Sequence, residues 1–347
     1  LFNSDFNPPK KLSILVPSYN VEKYVIECLE SIETQLTNEC EVIVYDDAST
    51  DNTVDTIKNS SIYKTPNFSL VLGPQNKGLS FARNTLRTMA SGEYLWFFDS
   101  DDKILDGAID KILSIIHTSN VDIILFNFNF WYEDPAEQIL CTQTEQRPYV
   151  GVSGEHRTNH VSAFSACLRS NNLHAHSKVY HRDIFREETD FPVGQIFEDI
   201  SVVPLLMSLS KSVCYIDEPL YAYRQRPGSI ISNMKAADEV KPLKAILDLK
   251  TRYEEVHGQI NEEALSALMV FTMHQFRTAV RKIAKKAPAD QKPRLLKEAL
   301  EIFQSIHGRN YFYVMKTCYK EKGLIYCFHI SKRLLKAKIV AARSSQS

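Results

Sequence analysis

Glycine is scarce, 11 in 347 residues, and nowhere takes the spacing of a dinucleotide-binding turn or a P-loop. That argues against NAD and ATP as ligands. No Cys-x-x-Cys pair occurs. The seven cysteines (28, 40, 141, 167, 214, 318 and 327) are an odd count. They fit free thiols in a reducing cytoplasm better than a disulfide framework or a zinc site. Charge of one sign is missing too: the net charge is -1, so no global field argues for nucleic acid. No apolar run approaches the roughly 18 residues of a membrane span. The opening stretch from Leu1 to Lys11 is polar and unlike a signal peptide, so any membrane is expected to be met from its surface. What remains is ordinary for a soluble globular protein, 44 % hydrophobic and 24 % charged. The length suits one large domain with an appendage, or two domains.

Strand and helix signals alternate through the first half. Residues 1–10 read as a loose leader. Leu12 to Val16 is a short buried strand broken at Pro17-Ser18-Tyr19-Asn20. Val25, Cys28, Leu29 and Ile32 share a helical face. Val42 to Tyr45 is a strand ending in Asp46-Asp47-Ala48-Ser49-Thr50-Asp51, and a short helix capped near Asp51 follows. Leu70 to Leu72 is a third strand. After Asn76-Lys77-Gly78 comes a helix with Leu79, Ala82, Leu86 and Met89 on one side. Tyr94 to Phe98 is a fourth strand, Ile109 to Ile116 a helix, Ile123 to Phe128 a strand. This alternation predicts an α/β fold with a mostly parallel, doubly wound sheet flanked by helices. Periodicity is lost from Trp131 to about His174, which reads as a long functional loop. Lys178 to Tyr180, Val213 to Ile216 and Leu220 to Tyr223 are further strand candidates. Glu198 to Met207 reads as a helix, with Pro204 tolerable only near a first turn. From Met234 the chain is expected to be wholly helical, with a linker from Lys285 to Pro293.

The chemistry gathers at Asp99-Ser100-Asp101-Asp102. Three carboxylates arrive where a buried strand ends, the edge at which open α/β sheets bind ligands. Carboxylates so close repel, and a hard divalent cation such as Mn²⁺ or Mg²⁺ is the economical counter-charge. A polar loop capping the next helix is the plainer reading of the triplet alone.

Four motifs in order change that balance: Val16-Pro17-Ser18-Tyr19-Asn20, Asp46 to Asp51, Asn76 to Asn84, and Phe98 to Asp102. Together they resemble the nucleotide-sugar half of the family 2 glycosyltransferases, which have the Rossmann-like GT-A fold. The resemblance runs from about Lys11 to Ser229 and takes in Glu198-Asp199 and the Tyr221 to Ser229 ending seen in many bacterial members. It implies a GT-A domain over 11–233, split into a nucleotide-sugar half (11–103) and an acceptor half (104–233), before a helical region over 234–347. It also implies an inverting, metal-dependent transfer from a UDP-sugar to a hydroxyl of a glycan or lipid-linked acceptor, as in bacterial surface polysaccharide synthesis. Pro17 and Asp47 would hold uracil and ribose, with Tyr19 beside them. Asn76 and Arg83 would add contacts to base or diphosphate. Asp99 would reach the ribose or the metal's water shell, and Ser100 would belong to the donor-binding set. Asp101 would bind the metal, with Asp99. Arg224 and Arg226 would grip the diphosphate, or else be solvent-exposed charges. Asp199 would be the general base and Glu198 the runner-up; both could equally cap a helix.

Two other functions compete. A nucleotidyl- or phosphotransferase of related fold usually shows a Gly- and Lys/Arg-rich loop after the first strand, and Pro17 to Asn20 is not one. A non-catalytic sugar-nucleotide-binding protein would be favoured by loss of Asp101 or Asp199, and both are present. His174, His176 and His181 suggest a metal, but no Cys/His partners lie at zinc spacing, so they are read as non-ligands. In the tail, Cys327, Ile330, Leu334, Ala337 and Ala341 line one helical face amid basic residues. That helix is expected to pack, or to lie on an anionic membrane surface.

Overall fold

Largely apolar runs make strands covered on both faces, and two adjacent ones are β1 (Leu12–Ser18) and β4 (Tyr94–Phe97), every residue of which is buried. The computed structural model of the chain describes residues 10–133, 145–226, 228, 233–308 and 311–322. These fall into two units. The first is Leu1–His160, His174–Gln195 and Leu209–Arg226, and the second is Val161–Leu173, Ile196–Ser208 and Pro227–Ser347.

The first unit holds one sheet. Its remaining strands are β2 (Cys40–Asp46), β3 (Phe68–Leu72), β5 (Lys103–Ile104), β6 (Ile123–Tyr132), β7 (Glu145–Gln146), β8 (Gly154–Arg157), β9 (Lys178–His181) and β10 (Ser212–Gln225). The order is β3-β2-β1-β4-β9-β6-β10-β5, with β7 on β6 and β8 on β10. The first four strands are parallel, as expected, with Leu12 opposite both Cys40 and Tyr94. Strand β9 then runs antiparallel between β4 and β6, so the sheet is mixed beyond β4. The two strands expected in 213–223 are one. Pro219 and the exposed Asp217 and Glu218 form an irregularity inside β10 rather than a turn.

The helices of this unit bury the stripes their spacing marks, with one exception. Helix α1 (Val25–Glu33) buries Val25, Cys28, Leu29 and Ile32, and α4 (Ala108–Thr118) buries Ile109, Ile112, Leu113 and Ile116. Between them lie α2 (Thr53–Lys58) and α3 (Leu79–Met89). On α3 the buried residues are Ser80, Ala82, Arg83 and Leu86, while Met89 is 40 % exposed. The helix is turned from the expected apolar face because Arg83 has an ion-pair partner inside.

The second unit is helical among its described residues. The segment read as patternless contains α5 (His160–Ser170), which buries Phe164, Cys167 and Leu168. Helix α6 (Glu198–Leu209) carries Pro204 in its interior rather than its first turn. Helices α7 (Lys241–His257), α8 (Glu262–Lys286), α9 (Lys292–His307) and α10 (Tyr311–Lys322) follow. Helix α8 runs on through Lys286, so the linker is shorter than expected. Asn261 caps α8 by accepting from the Ala264 N–H at 2.9 Å. Aromatic contacts join these helices: Phe164 with Tyr253 at 4.4 Å and Phe276 with Phe303 at 4.8 Å between ring centres. The five described cysteines, Cys28, Cys40, Cys167, Cys214 and Cys318, are buried, and none of them is in a disulfide among the described residues. Among the described residues no helix is long and apolar enough to cross a membrane. The basic tail helix lies outside the described residues.

Candidate active site

Strand β4 delivers the aspartates. Phe98 keeps the pairing with β1 by donating to the Leu15 carbonyl at 2.9 Å, and the chain then turns, Asp102 N–H donating to the Asp99 carbonyl at 3.1 Å. Each carboxylate has its own partner. Arg83, with its side chain 2 % exposed, donates to Asp99 Oδ1 at 3.0 Å, and His176 Nδ1 lies 3.5 Å from Asp99 Oδ2. Arg226 Nε donates to Asp101 Oδ2 at 2.8 Å. Asp102 is fully buried, accepting from the Tyr221 hydroxyl and, at 2.8 Å, from the Arg224 N–H.

The three therefore differ in proton affinity. Burial would raise all of them, but at Asp99 the Arg83 charge and the His176 contact outweigh it and hold the carboxyl far below its usual range. At Asp101 burial and the Asp99 charge win over Arg226, so its pKa rises. At Asp102 burial and the two neighbouring carboxylates push it well up.

The loops after β1 and β2 hold one another. Pro17 is buried in β1 opposite Tyr45, and Tyr19, 45 % exposed, follows it. Asn20 Oδ1 accepts from the Thr50 N–H at 2.8 Å. Asp51 accepts from the Glu22 N–H at 3.1 Å and the Thr53 N–H at 3.0 Å, one residue ahead of Asn52, which is the N-cap residue of α2 in place of the expected Asp51. Asp47 is buried and accepts from the Lys77 N–H at 3.0 Å and the Gly78 N–H at 2.7 Å. Its carboxylate thereby fastens the Asn76–Gly78 turn, where Gly78 takes a φ of 88° that favours glycine. Asn76 is exposed at that turn, and Ser100 is buried beside the aspartates.

Neither arginine of β10's end is a solvent-exposed charge. Arg224 donates to the Asp101 carbonyl at 2.6 Å and pairs with Glu27 at 2.7 Å and Glu133 at 3.3 Å. Its guanidinium also stacks 3.8 Å over the Trp131 ring. Arg226 lies 4.4 Å over Tyr24. Glu27, Tyr24 and Trp131 were not singled out in the sequence, nor were Asp102 and Tyr221 as a bonded pair.

His176, read from the sequence as a non-ligand, lies beside the aspartates. One ligand atom each from Asp99, Asp102 and His176 lies within 4.8 Å of the others, close enough for one ion to reach all three. Zinc-type spacing does not register this grouping, because the neighbours of this histidine are aspartates of the turn after β4. His174 stacks on the far side of His176, and His181 sits near Glu93.

Glu198 and Asp199 belong to the second unit and open α6, with Glu198 buried. Phe197, just before them, has a φ of 66°, a left-handed backbone that is uncommon for a bulky residue.

Comparison with known proteins agrees with this layout. The family model described as Glycosyl transferase family 2 matches residues 13–188. Glycosyltransferase GlyA of Streptococcus pneumoniae is 32 % identical over 226 residues, 63 % of this chain and 31 % of that protein. The chain thus spans about a third of GlyA's length. Glycosyltransferase GlyG of the same organism is 27 % identical over 63 % of this chain and 72 % of its own. The crystal structure of S. aureus TarS 1–349 in complex with UDP-GlcNAc superposes with a TM-score of 0.71 at 19 % identity, covering 97 % of this chain and 92 % of that one. The fold is therefore that of the GT-A α/β proteins, with an acidic site at the strand ends. The chain belongs to glycosyl transferase family 2.

Proposed function

We propose that the protein is an inverting, metal-dependent glycosyltransferase that moves a sugar from a UDP-sugar to a hydroxyl of a glycan or lipid-linked acceptor, in surface polysaccharide synthesis at the inner face of a membrane. The observation that carries this is the Asp99–Asp102 cluster at the carboxyl end of β4, flanked by the β1 and β2 loops. UDP-GlcNAc in the superposed TarS structure supports a uridine donor. A divalent cation fits the residues present: two carboxylates and an imidazole offer ligand atoms within 4.8 Å, and oxygen and nitrogen donors suit Mn²⁺ or Mg²⁺. Asp99, Asp101, Asp102 and His176 are the residues that would hold it. When bound, such an ion neutralises charge on the leaving diphosphate.

The chain's own residues do the rest. Asp47 holds the Asn76–Gly78 turn in place beside the nucleotide. Pro17 and Tyr19 shape the wall for uracil, and Asp47's remaining lone pairs suit its ring N–H. Ser100 reaches the ribose. Arg83 keeps Asp99 ionised, and Arg226 turns to the diphosphate. Asp199 takes the proton of the acceptor hydroxyl as it attacks the anomeric carbon, and Glu198 orients that hydroxyl.

The test is thermal melting with UDP plus Mn²⁺, against GDP, ATP and no ligand, followed by a donor panel read out as released UDP. Stabilisation by UDP with Mn²⁺ alone, abolished in Asp101→Ala, is the expected result. Equal stabilisation by ATP or GDP overturns the donor assignment, and full turnover in EDTA overturns the metal.

A further inference from the structure

We infer that His176 selects the metal, making the site one for Mn²⁺ and other transition-series divalent cations rather than Mg²⁺. The inference rests on the donor-site reading above and adds to it the choice of ion. Two observations and one chemical rule carry it. First, His176 is 2 % exposed, and its Nδ1 faces Asp99 Oδ2 at 3.5 Å inside a group whose ligand atoms converge within 4.8 Å. Second, the imidazole is fixed before any ion arrives. It stacks face to face on Tyr221, 4.2 Å between centres and 2° from parallel. His174 stacks on it at 4.9 Å and 11°, and Phe128 meets it edge-on at 5.1 Å. The backbone is pinned as well, because Trp96 Nε1 donates to the His176 carbonyl at 2.7 Å. Lys178 Nζ, buried, donates to the His174 carbonyl at 2.9 Å. Third, the chemistry of an imidazole nitrogen is selective. Mg²⁺ demands near-ideal octahedral oxygen and gives up water reluctantly. Affinity for nitrogen-containing sites rises along the transition series from Mn²⁺ to Co²⁺ and Ni²⁺. Asp102 still has lone pairs beyond those used by Tyr221 and Arg224.

His176→Phe keeps an aromatic ring on Tyr221 and removes the nitrogen. Calorimetry in the presence of UDP gives the affinities of wild type and variant for Mn²⁺, Co²⁺ and Mg²⁺. The expected result is a loss of roughly tenfold or more for Mn²⁺ and Co²⁺, the scale on which disturbing a metal site's ligand sphere is felt, with Mg²⁺ nearly unchanged. A second measurement needs no variant. Mn²⁺ bound to the wild-type protein should show electron spin-echo modulation from a directly coordinated nitrogen, altered when the histidines are labelled with ¹⁵N. Mn²⁺ binding without nitrogen modulation, or an unchanged ratio of Mn²⁺ to Mg²⁺ affinity in His176→Phe, overturns the inference while leaving the donor site standing. Failure of the wild type to bind any divalent cation with UDP removes both.

Discussion

Removing the Asp47 carboxylate should loosen the protein before it affects any ligand. Asp47 is 3 % exposed and receives the Lys77 and Gly78 N–H groups at 3.0 and 2.7 Å. Hydrogen bonds to a charged group contribute about 1.5–3 kcal/mol each. In Asp47→Ala both N–H groups lose their acceptor, and water admitted at the exposed turn recovers part of the loss. A net cost of about 2–3 kcal/mol is therefore expected. For a unit of 150–250 residues, each kcal/mol lowers the melting temperature by about 2–4 °C, so the drop should be on the order of 5–10 °C. Asp47→Asn keeps one oxygen and should lose about half as much. The assay is thermal melting without nucleotide, then UDP affinity by calorimetry at a temperature where both variants are folded. An unchanged melting temperature with abolished UDP binding would refute the reasoning, because Asp47 would then serve the nucleotide and not the turn.

Arg226→Gln frees Asp101 from a partly buried ion pair worth on the order of 1 kcal/mol, so Mn²⁺ affinity without nucleotide should rise several-fold; a fall, seen by calorimetry, would show that the arginine helps the metal rather than competing with it. Asp199→Asn should leave UDP and Mn²⁺ affinities intact and lower single-turnover rates by roughly 10²-fold or more; normal turnover, with Glu198→Gln inactive, moves the base by one residue. His307 has both ring nitrogens buried without hydrogen-bond partners among the described residues, and burial, aided by Lys250, lowers its pKa to about 3. An unfolded imidazole titrates near 6.5, so the unfolded chain binds the extra proton between those values. Stability is then fully present above about pH 6.5 and falls as pH drops toward 3, by on the order of 5 kcal/mol in total. His307→Phe should flatten that acid limb, and an unchanged slope of melting temperature against pH counts against the assignment.

The parts of this protein legible in its sequence are those set by local pattern. Val25, Cys28, Leu29 and Ile32 mark the buried stripe of α1 because a helix repeats every 3.6 residues. The apolar run ending at Asp99 marks β4 because no polar residue interrupts it. What escaped was decided elsewhere in the chain. The direction of β9 carries no local signature, since Lys-Val-Tyr-His pairs equally well in either sense. Helix α5 has apolar residues at 161, 164 and 168, a helical spacing obscured by the serines and histidines around them. The continuity of β10 was hidden by Pro219, which reads as a break but sits at an irregularity.

The same division explains why the carboxylates were visible and their partners were not. Asp99, Asp101 and Asp102 are neighbours in sequence, so their repulsion can be seen at once. Its resolution lies at sequence separations of 16 for Arg83 to Asp99, 125 for Arg226 to Asp101 and 122 for the Arg224 N–H to Asp102. Helix α3 and the end of β10 thus bring a separate partner to each carboxylate, while burial and mutual repulsion still raise the pKa values of Asp101 and Asp102. An ion entering there meets carboxylates already engaged, and its affinity is reduced by the cost of releasing them. On the proposed donor-site reading, a nucleotide diphosphate would offer Arg226 a new partner, leaving Asp101 to a cation. Metal and nucleotide should for this reason bind with positive coupling, each tightening the other by the same factor. Arg226→Gln should remove most of that coupling while leaving the Arg83–Asp99 pair in place. Calorimetric titration of Mn²⁺ with and without UDP, and of UDP with and without Mn²⁺, measures the factor from both sides. Coupling that persists undiminished in Arg226→Gln would place its origin in direct contact between ion and diphosphate rather than in the exchange of the arginine.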